Sequence, residues 1–404
     1  MTVKKILSLL MVLCGTLAFA GVKAERIEPL SIGALEGKGQ VTNPRFSPDG
    51  KELFFELLAA DGESSEVYVA SVDGSGDFPP LLGAPEAAMP SKKNDVFSLG
   101  GPGDNTISEH PAWGASTKRG QTLALAATRK EASRGGSKIN FDIFFKAPGK
   151  KRFLTEHPEN DSEPTFNATG EYLVFASGRS GEGDLYAYSF YADGNPIRRL
   201  TFEESGSELY PAWSPNGKSL AFIGHLGGVD HLFFIDDALK LADIKDEGDR
   251  RSKARGVTRD LTAGSPDSSL APAFSPDGKW IAFFVHPKNH PTRSDLYVVN
   301  IDEGEPALLA ESVIPPTRDG PCWAPDSKGL FVVDESAELM NPIYFVPLDP
   351  AEEMSLVDTG TQLNGDLSLR VEGERWVLLF VAQGGGDRDN EKRWRKIYVA
   401  TVGR

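Results

Sequence analysis

One short phrase recurs along this chain and limits the folds open to it. An aromatic residue is followed by Ser-Pro-Asp-Gly or a variant, and then by an apolar run. Proline presets the first corner of a type I turn, Asp or Asn suits the second corner, and glycine takes the left-handed position that closes a tight hairpin. Each copy therefore predicts two antiparallel strands joined by a short turn. Clear copies lie at 46–50, 213–217 and 274–278, and degenerate copies at 113–116, 166–170, 323–327 and 369–373.

The residues that follow each turn predict the rest of a four-stranded unit. The run directly after the turn is apolar on both faces, which is typical of a strand packed between neighbouring sheets. A third strand with an aromatic residue comes next, as at 67–69 and 296–298. Short fourth strands are predicted near 80–82, 153–155, 199–201, 260–262, 307–309 and 355–357.

The seventh unit ends at Arg404 without a fourth strand, and the segment 27–32 before the first unit resembles one. Pairing this segment with the last unit removes the open edge that a stack of sheets would have. The predicted fold is therefore all-β: a seven-bladed β-propeller, closed by the N-terminal strand pairing into the last blade. Six or eight blades are the alternatives if the degenerate seventh unit is misread.

The first residues predict export from the cytoplasm. Lys4 and Lys5 precede a mostly apolar stretch at 6–19, which is too short to span a bilayer comfortably, and small-residue cleavage sites follow at 18–20 and 22–24. We therefore expect a signal peptide at 1–24, a single β-propeller domain at 25–404, and a periplasmic or secreted protein. The formal net charge of −15 argues against nucleic acid and stable membrane insertion, and we expect a monomer.

Three motifs together resemble the WD-like propeller repeat of the TolB type. They are the Ser-Pro-Asp-Gly turn, the Pro-Ala-Trp at 111–113 and 211–213, and the Asp-Leu-Tyr at 184–186 and 295–297. The resemblance implies a propeller over nearly all of the mature chain. It is compatible with the periplasmic Tol–Pal component, with propeller caps of prolyl oligopeptidase-like enzymes, and with oligogalacturonate lyases.

The chain departs from the first two of these groups. The Tol–Pal component carries an N-terminal α/β domain before a six-bladed propeller, whereas here the repeats begin soon after residue 24. The hydrolases need a Gly-x-Ser-x-Gly nucleophile turn, and the sequence contains none. The lyases are lone propellers that use metal-binding histidines.

Strand direction places the longest insertions, 84–108, 128–140 and 383–395, on one face of the predicted ring. A further charge-rich insertion at 239–256 lies on the opposite face and is expected to be a solvated or helical excursion. Arg179, Arg388 and Arg393 belong to a basic minority on the loop-rich face. This minority is either an anion-binding rim or scattered solvated charge.

Four histidines are expected near one mouth of the central channel: His110, His157, His225 and His286. His225 and His286 end second strands, and Tyr210, which belongs to the same predicted ligand-binding face, occupies in the fourth unit the position that His110 has in the second. Histidines that converge with Glu109 or Glu163 could hold a divalent metal. The alternative is that each histidine is solvated or satisfied locally, since no ligand pair at short spacing is present. We assign no metal ligands, no catalytic residues and no cofactor, and a divalent metal remains the open alternative.

The sequence thus predicts an exported, non-catalytic, TolB-like binding scaffold. Its loop-rich face would contact an envelope protein, peptide or glycan. A metal-dependent polysaccharide lyase of the oligogalacturonate type is the alternative, with His110, His225 and His286 as ligands and a base that removes the proton beside a uronate carboxylate.

Overall fold

The structure, a computed structural model, describes residues 23–30, 39–59, 65–71, 96–98, 108–128, 140–181, 183–192, 194–202, 206–290, 292–335, 340–384 and 395–403. Strand β1 (Lys23–Leu30) opens the described chain, and repeated sets of four antiparallel strands follow it in chain order. The first two sets are β2 (Gly39–Phe46), β3 (Glu52–Ala59), β4 (Ser65–Ser71) and β5 (Val96–Ser98), then β6 (Ser108–Ser116), β7 (Gly120–Thr128), β8 (Phe141–Ala147) and β9 (Lys150–Phe153).

The third and fourth sets have the same order, and helices interrupt the fourth. The charge-rich insertion predicted at 239–256 forms two helices before the last strand of that set, which confirms the helical option. The strands are β10 (Asp161–Phe166), β11 (Tyr172–Ser177), β12 (Asp184–Ser189) and β13 (Ile197–Arg199), then β14 (Glu208–Trp213), β15 (Leu220–Leu226), β16 (Val229–Ile235), helices α1 (Ala238–Asp243) and α2 (Glu247–Val257), and β17 (Thr258–Asp260).

The fifth and sixth sets are fused into one eight-stranded sheet. Strand β21 runs past its own set and pairs with β23 of the next, matching Val313 to Asp334. The strands are β18 (Ser268–Phe274), β19 (Trp280–His286), β20 (Ser294–Asn300) and β21 (Pro306–Ile314), then β22 (Cys322–Trp323), β23 (Gly329–Asp334), β24 (Ile343–Pro347) and β25 (Ser355–Val357).

The seventh set joins the two ends of the described chain. It contains β26 (Thr361–Glu372), β27 (Arg375–Gly384) and β28 (Lys396–Gly403), and β1 supplies its fourth strand. The register runs from Lys23 opposite Gly403 to Leu30 opposite Ile397. The predicted pairing of an N-terminal segment with the last unit is present, although β1 begins before the predicted 27–32 and residues 31–38 lie outside the described chain.

The recurring turns have the conformation that their sequence predicts. Gly50 and Gly278 adopt φ of 70° and 72°. In the first copy the Ser47 amide donates to the Glu52 carbonyl at 2.7 Å, and the Ser47 hydroxyl donates to the Asp49 carboxylate at 2.8 Å. The sixth copy ends in Ser327 instead of glycine, and this serine adopts the same left-handed region with φ of 61°.

The apolar core lies between consecutive sets. A fully buried phenylalanine occupies the second strand of every set except the second, and burial of such a side chain contributes roughly 2 kcal/mol. Seven clusters of buried side chains each join two sets, and one of them packs β2 and β3 of the first set against β27 and β28 of the seventh. The first and last sets are therefore neighbours in packing as well as through β1.

The fourth strand of the first set does not lie where the sequence predicted it. The fourth strand predicted near 80–82 falls outside the described residues, and the strand that occupies that position in the first set is β5. In the described part of the chain no helix is long and apolar enough to cross a membrane.

Candidate functional site

The first strand of each set is called its inner strand, and in six sets (β2, β6, β10, β14, β18 and β26) it carries the same distortion. Residues Asn43, His110, Glu163, Tyr210, Ala271 and Asp366 have φ between 48° and 53°, and the pairing register shifts at each of these points. The first five directly precede a proline. A bulge of this kind re-aims a side chain, and residues held in the left-handed region often cluster at ligand sites.

The bulges surround one cavity of about 570 Å³. Five of the six left-handed residues line it, and the Trp113 and Trp213 side chains form part of its wall. Each strand set contributes lining residues. One from each set, in order, is Asn43, His110, Glu163, Tyr210, Ala271, Cys322 and Ser368.

Arg318 bridges three strand sets at this cavity. It lies in the connection before β22, and its Nη2 donates to Glu109 Oε2 at 2.9 Å. Its Nη1 lies 2.9 Å from His110 Nε2, and its Nε lies 3.6 Å from Glu56 Oε2. The guanidinium of the sixth set therefore holds side chains of the first and second sets.

His110 is held neutral in this arrangement. Burial, followed by the charge of Arg318, lowers the pKa of its imidazole to about 3. Because a guanidinium can only donate, His110 Nε2 accepts the hydrogen bond and the ring proton resides on Nδ1. That nitrogen lies 3.5 Å from Glu109 Oε1.

Two carboxyl groups beside Arg318 titrate near neutrality. Burial raises the pKa of Glu56 to about 7 and that of Glu163 to about 7, although Arg318 opposes both shifts. Glu163 Oε2 accepts the Tyr210 amide at 2.5 Å, and Glu56 Oε1 accepts Asn43 Nδ2 at 3.0 Å. Glu163 lines the cavity, so this carboxyl group can exchange a proton with a ligand near pH 7.

A second network of polar side chains connects the first strand set to the sixth and seventh sets. Arg45 donates to Asp319 Oδ2 at 2.7 and 2.5 Å and to the Leu367 carbonyl at 2.9 Å. The Asp366 carboxylate accepts the Asn43 amide at 3.2 Å and the Thr317 amide at 2.6 Å. These contacts join the first, sixth and seventh sets.

The structure brings together some of the residues singled out from the sequence. His110 and Tyr210 both approach Glu163, since His110 Nε2 lies 4.0 Å from Glu163 Oε1. Arg179 is instead paired with Asp161 at 2.7 Å, in the short 3-10 turn after β11. Arg388 and Arg393 lie outside the described residues, as do most of the three long insertions.

The other three histidines expected at the channel mouth do not line the cavity. His157 Nδ1 accepts the Glu159 amide at 3.2 Å. His225 is exposed at the end of β15 and contacts Asp230 Oδ1 at 2.8 Å. His286 lies 3.1 Å from the Arg293 carbonyl and 3.2 Å from the Ser294 hydroxyl. Within the described ranges, no three His, Cys, Asp or Glu side chains are arranged to hold a metal.

Sequence reasoning missed Glu56 and Arg318, which lie at the centre of the hydrogen-bond and ion-pair network beside the cavity. It compared His110 with Tyr210 but did not extend that comparison to the other inner strands. The signal was present, because the residue before the inner-strand proline is Asn43, His110, Glu163, Tyr210 and Ala271 in the first five sets.

Comparison with known proteins identifies the repeat. No family model matches the chain. A TolB homolog of Chlorobium luteolum is 30% identical over 139 residues, which cover 28% of this chain and 31% of the homolog. The chain carries TolB-type propeller repeats. The match spans only about a third of that relative, so it concerns the repeats and not the whole protein.

Solved structures share the fold of these TolB-type repeats. A puromycin-hydrolyzing peptidase of Mycobacterium tuberculosis aligns with a TM-score of 0.56 and 13% identity, over 85% of this chain and 49% of the peptidase. An oligogalacturonate lyase of Vibrio parahaemolyticus aligns with a TM-score of 0.54 and 13% identity, over 95% of this chain and 98% of the lyase. At such identities the likeness concerns the fold alone.

Proposed function

We propose that this protein is an exported, non-catalytic β-propeller of seven blades that binds an envelope protein, peptide or glycan at the cavity around Arg318. It acts as a monomer in the periplasm or outside the cell and needs no cofactor. The single observation that carries the proposal is the cavity itself, which residues from all seven strand sets line.

The packing between the sets supports the closed ring. The seven apolar clusters connect the sets in sequence and connect the last with the first, and β1 pairs with β28. A ring leaves a central space at the inner strands, and loops and inner-strand residues at one end of a rigid scaffold are where binding commonly resides.

The charges at the cavity favour binding over chemistry. Arg318, Glu109, His110 and Glu56 are engaged with one another, and Glu163 accepts a backbone amide. A general base must reach a proton of its substrate, and a nucleophile needs a base beside it. The described lining residues instead combine charged side chains such as Arg318 with the aromatic residues Trp113, Trp213 and Tyr210, a mixture that suits recognition of a protein, peptide or glycan.

Site-specific photo-crosslinking tests this proposal. A benzophenone amino acid is placed at Tyr210, on the cavity, and in a matched variant at Tyr191, which is 44% exposed and does not line it. In cells irradiated intact, we expect a discrete adduct from position 210 and none from position 191. Identical adduct patterns from the two positions would reject the cavity as the binding site.

The lyase alternative requires His225 and His286 beside His110, and the structure holds these two histidines in local contacts away from the cavity. Metal analysis of the purified protein separates the two hypotheses. Stoichiometric Mn or Ca that is lost in His110→Ala would favour the lyase, and metal-free protein would favour the scaffold.

The proposed export can be checked at the mature N-terminus. Ala24 is buried within β1 and packs with the seventh set. Cleavage after Ala24 would remove two residues of β1, whereas cleavage after Ala20 would leave the strand whole. Intact mass of the exported protein distinguishes the two sites, and an uncleaved chain in the envelope fraction would contradict the signal peptide.

A further inference from the structure

Glu163 is the acidic residue in the wall of the cavity around Arg318 that has no cation beside it among the residues that the structure describes. The arginine, histidine, aspartate and glutamate side chains of that wall are Arg45, His110, Glu163, Arg318 and Asp319. Arg45 is paired with Asp319 at 2.5 Å, and Arg318 is paired with Glu109 at 2.9 Å. His110 is neutral, so it does not balance the charge of Glu163.

The two carboxylate oxygens of Glu163 have different surroundings. Oε2 accepts the Tyr210 amide at 2.5 Å. Oε1 lies 4.0 Å from His110 Nε2, which is itself an acceptor, and no described residue donates a hydrogen bond to it. Unlike the buried polar atoms that lack a partner, Oε1 retains accessible surface, and the side chain is 13% exposed. Because Glu163 lines the cavity, a ligand there can reach this oxygen.

The surroundings of Glu163 disfavour its negative charge. Burial raises the pKa of its carboxyl group to about 7, and Glu109 adds to the rise, whereas the Tyr210 amide and Arg318 act in the opposite direction. A carboxylate that leaves water without a cation beside it is destabilised. A positively charged ligand group at Oε1 supplies the missing counter-charge, so the cavity favours a cation.

The rest of the wall suits an apolar stem that carries this charge. Trp113, Tyr210 and Trp213 line the cavity together with the prolines that follow the inner-strand bulges. Lysine and arginine place their charge at the end of a methylene chain, which packs on apolar and aromatic surface while the charged head keeps its polar contacts. A metal ion instead needs several ligands, and one unpaired carboxylate does not supply them.

We propose that the cavity binds a basic side chain, lysine or arginine, of a protein or peptide partner. The charged head contacts Glu163 Oε1, and the methylene stem packs against the aromatic wall. A glycan of neutral or acidic sugars carries no such group, so the unpaired carboxylate selects a protein or peptide among the ligand classes. Because it names the group that enters the same cavity, this proposal rests on the function proposed above.

Calorimetry on the full chain at pH 7.5 and low ionic strength tests the proposal. The probes are capped tripeptides with glycine on either side of a lysine, an arginine or a norleucine, and glycylglycine amide with a free amino terminus. We expect the two basic tripeptides to bind at least tenfold more tightly than the norleucine peptide, which has the lysine stem without the charge. Equal binding of the norleucine peptide, or no binding of either basic peptide, would overturn the proposal. Tighter binding of glycylglycine amide would overturn the basic side chain in favour of a chain terminus.

The variant Glu163→Gln locates the contact. Glutamine keeps an oxygen for the Tyr210 amide and removes the charge, so the lysine peptide should bind at least tenfold more weakly, while the norleucine peptide is unaffected. The variant should unfold at or above the wild-type midpoint at pH 8, because it removes an unpaired charge. Glu374→Gln, on the exposed turn after β26, makes the same change in net charge. Equal weakening in the two variants would overturn the site.

The pH dependence of binding gives a second readout. The charged and titratable groups around Glu163 are Glu109, His110, Tyr210 and Arg318. The pKa of His110 is about 3, and burial raises the pKa of Tyr210 above its ordinary value of 10, so neither changes charge between pH 5.5 and 8. Affinity for the lysine peptide should rise at least fivefold over this range as Glu163 ionises. The rise should vanish in Glu163→Gln and persist in Glu56→Gln, and its persistence in Glu163→Gln would overturn the contact.

Crosslinking from position 210 separates failure of this proposal from failure of the function on which it rests. The adduct should weaken at least fivefold when Glu163→Gln is added and stay unchanged when Glu374→Gln is added. An adduct of equal yield in both backgrounds would overturn the basic side chain and leave the cavity as the binding site. Absence of any adduct without these substitutions would reject the proposed function and the basic side chain together.

Discussion

Arg318 shows how one side chain can organise a cavity that seven strand sets enclose. Its guanidinium reaches Glu109 and His110, which precede it by about two hundred residues, and approaches Glu56. Glu56 is almost fully buried, so its ionised form depends on this neighbour. Removing one partner of a buried ion pair usually costs more than the pair contributes, because the other charge is left unpaired in low dielectric.

We expect Arg318→Ala to lower the free energy of unfolding at pH 8 by about 2 kcal/mol. This is below the roughly 3–5 kcal/mol of a fully buried pair, because Arg318 is partly exposed. Arg318→Lys should lower the free energy of unfolding by less than Arg318→Ala, since lysine keeps the positive charge but lacks the forked geometry of the guanidinium. Urea denaturation measures both, with Arg375→Ala, exposed at the start of β27, as the control. Equal effects of Arg318→Ala and Arg375→Ala would contradict the bridging role.

The two buried carboxyl groups predict a pH dependence of stability. Their pKa values are about 7 in the folded protein, whereas an unperturbed glutamate, as in the unfolded chain, has a pKa of 4.5. The folded state therefore binds more protons than the unfolded state between these values, and each group loses stabilisation as the pH rises from about 4.5 to 7. One such group contributes a slope of at most about 1.4 kcal/mol per pH unit.

Glu56→Gln should flatten this slope, because glutamine keeps an oxygen for Asn43 and does not ionise. Urea midpoints at pH 5, 6, 7 and 8 would measure the difference between the variant and the wild type. Glu374→Gln, on an exposed turn, serves as the control and should leave the slope as it is. A wild-type slope that persists in Glu56→Gln would show that Glu56 does not titrate in this range.

At the scale of the element, two kinds of left-handed backbone have different causes. The turns after the inner strands place glycine at φ near 70°, where a side chain is disfavoured in any protein. The inner-strand bulges place His110, Glu163 and Tyr210 in the same region without glycine. The turns thus serve the hairpin itself, whereas the bulges aim side chains into the cavity at a cost of about 1–3 kcal/mol each.

The same substitution should therefore have opposite effects in a turn and in a helix. Gly278→Ala should destabilise the protein by about 1–2 kcal/mol, because φ at this position is 72°. The atom nearest to a new Cβ, in Pro215, is 3.6 Å away, so the loss comes from backbone conformation and not from a clash. Gly256→Ala, within α2 and with open space around it, should stabilise by up to about 1 kcal/mol. Thermal unfolding compares them, and a loss of similar size in both variants would contradict this account.

At the scale of the whole molecule, the repeat could be predicted and the site could not. The turns follow from four or five adjacent residues, so their conformation at Gly50 and Gly278 was predictable from the sequence. The contact between Asn43 and Asp366 joins residues 323 apart, and no local pattern signals it. The extension of β21 into the sixth set also depends on a neighbour, since Ile314 is paired with Val333 of β23 and with no residue of β20 in the described sheet.

The site illustrates the same difference. His110 and Tyr210 were predicted because they occupy equivalent positions in two units, which is a repeat signal. Arg318 lies in a connection whose sequence is not repeated, and its partners come from other sets. His225 and His286 lie at the ends of β15 and β19, and strand position alone did not predict that each would contact a partner outside the cavity.

The pairing of β1 with β28 leads to a prediction about the stability and association of the whole molecule. Deleting residues 1–30 would expose the edge of β28 and the apolar contacts of Ala24 and Leu30. We expect a lower unfolding midpoint and concentration-dependent association in size-exclusion chromatography, because an unpaired edge strand recruits other chains. A synthetic peptide of residues 23–32 should restore the midpoint and the monomer by adding the missing strand.

Two controls make this test specific to the strand. Deletion of residues 1–22 leaves β1 in place and should have no effect on the midpoint, and a peptide of the same composition in scrambled order should not rescue the shorter chain. If the chain without β1 unfolds at the wild-type midpoint and stays monomeric, the first and seventh sets do not depend on β1 for their junction. The ring would then rest on the packing of β2 and β3 against β27 and β28 alone, and that apolar cluster would be the next target for substitution.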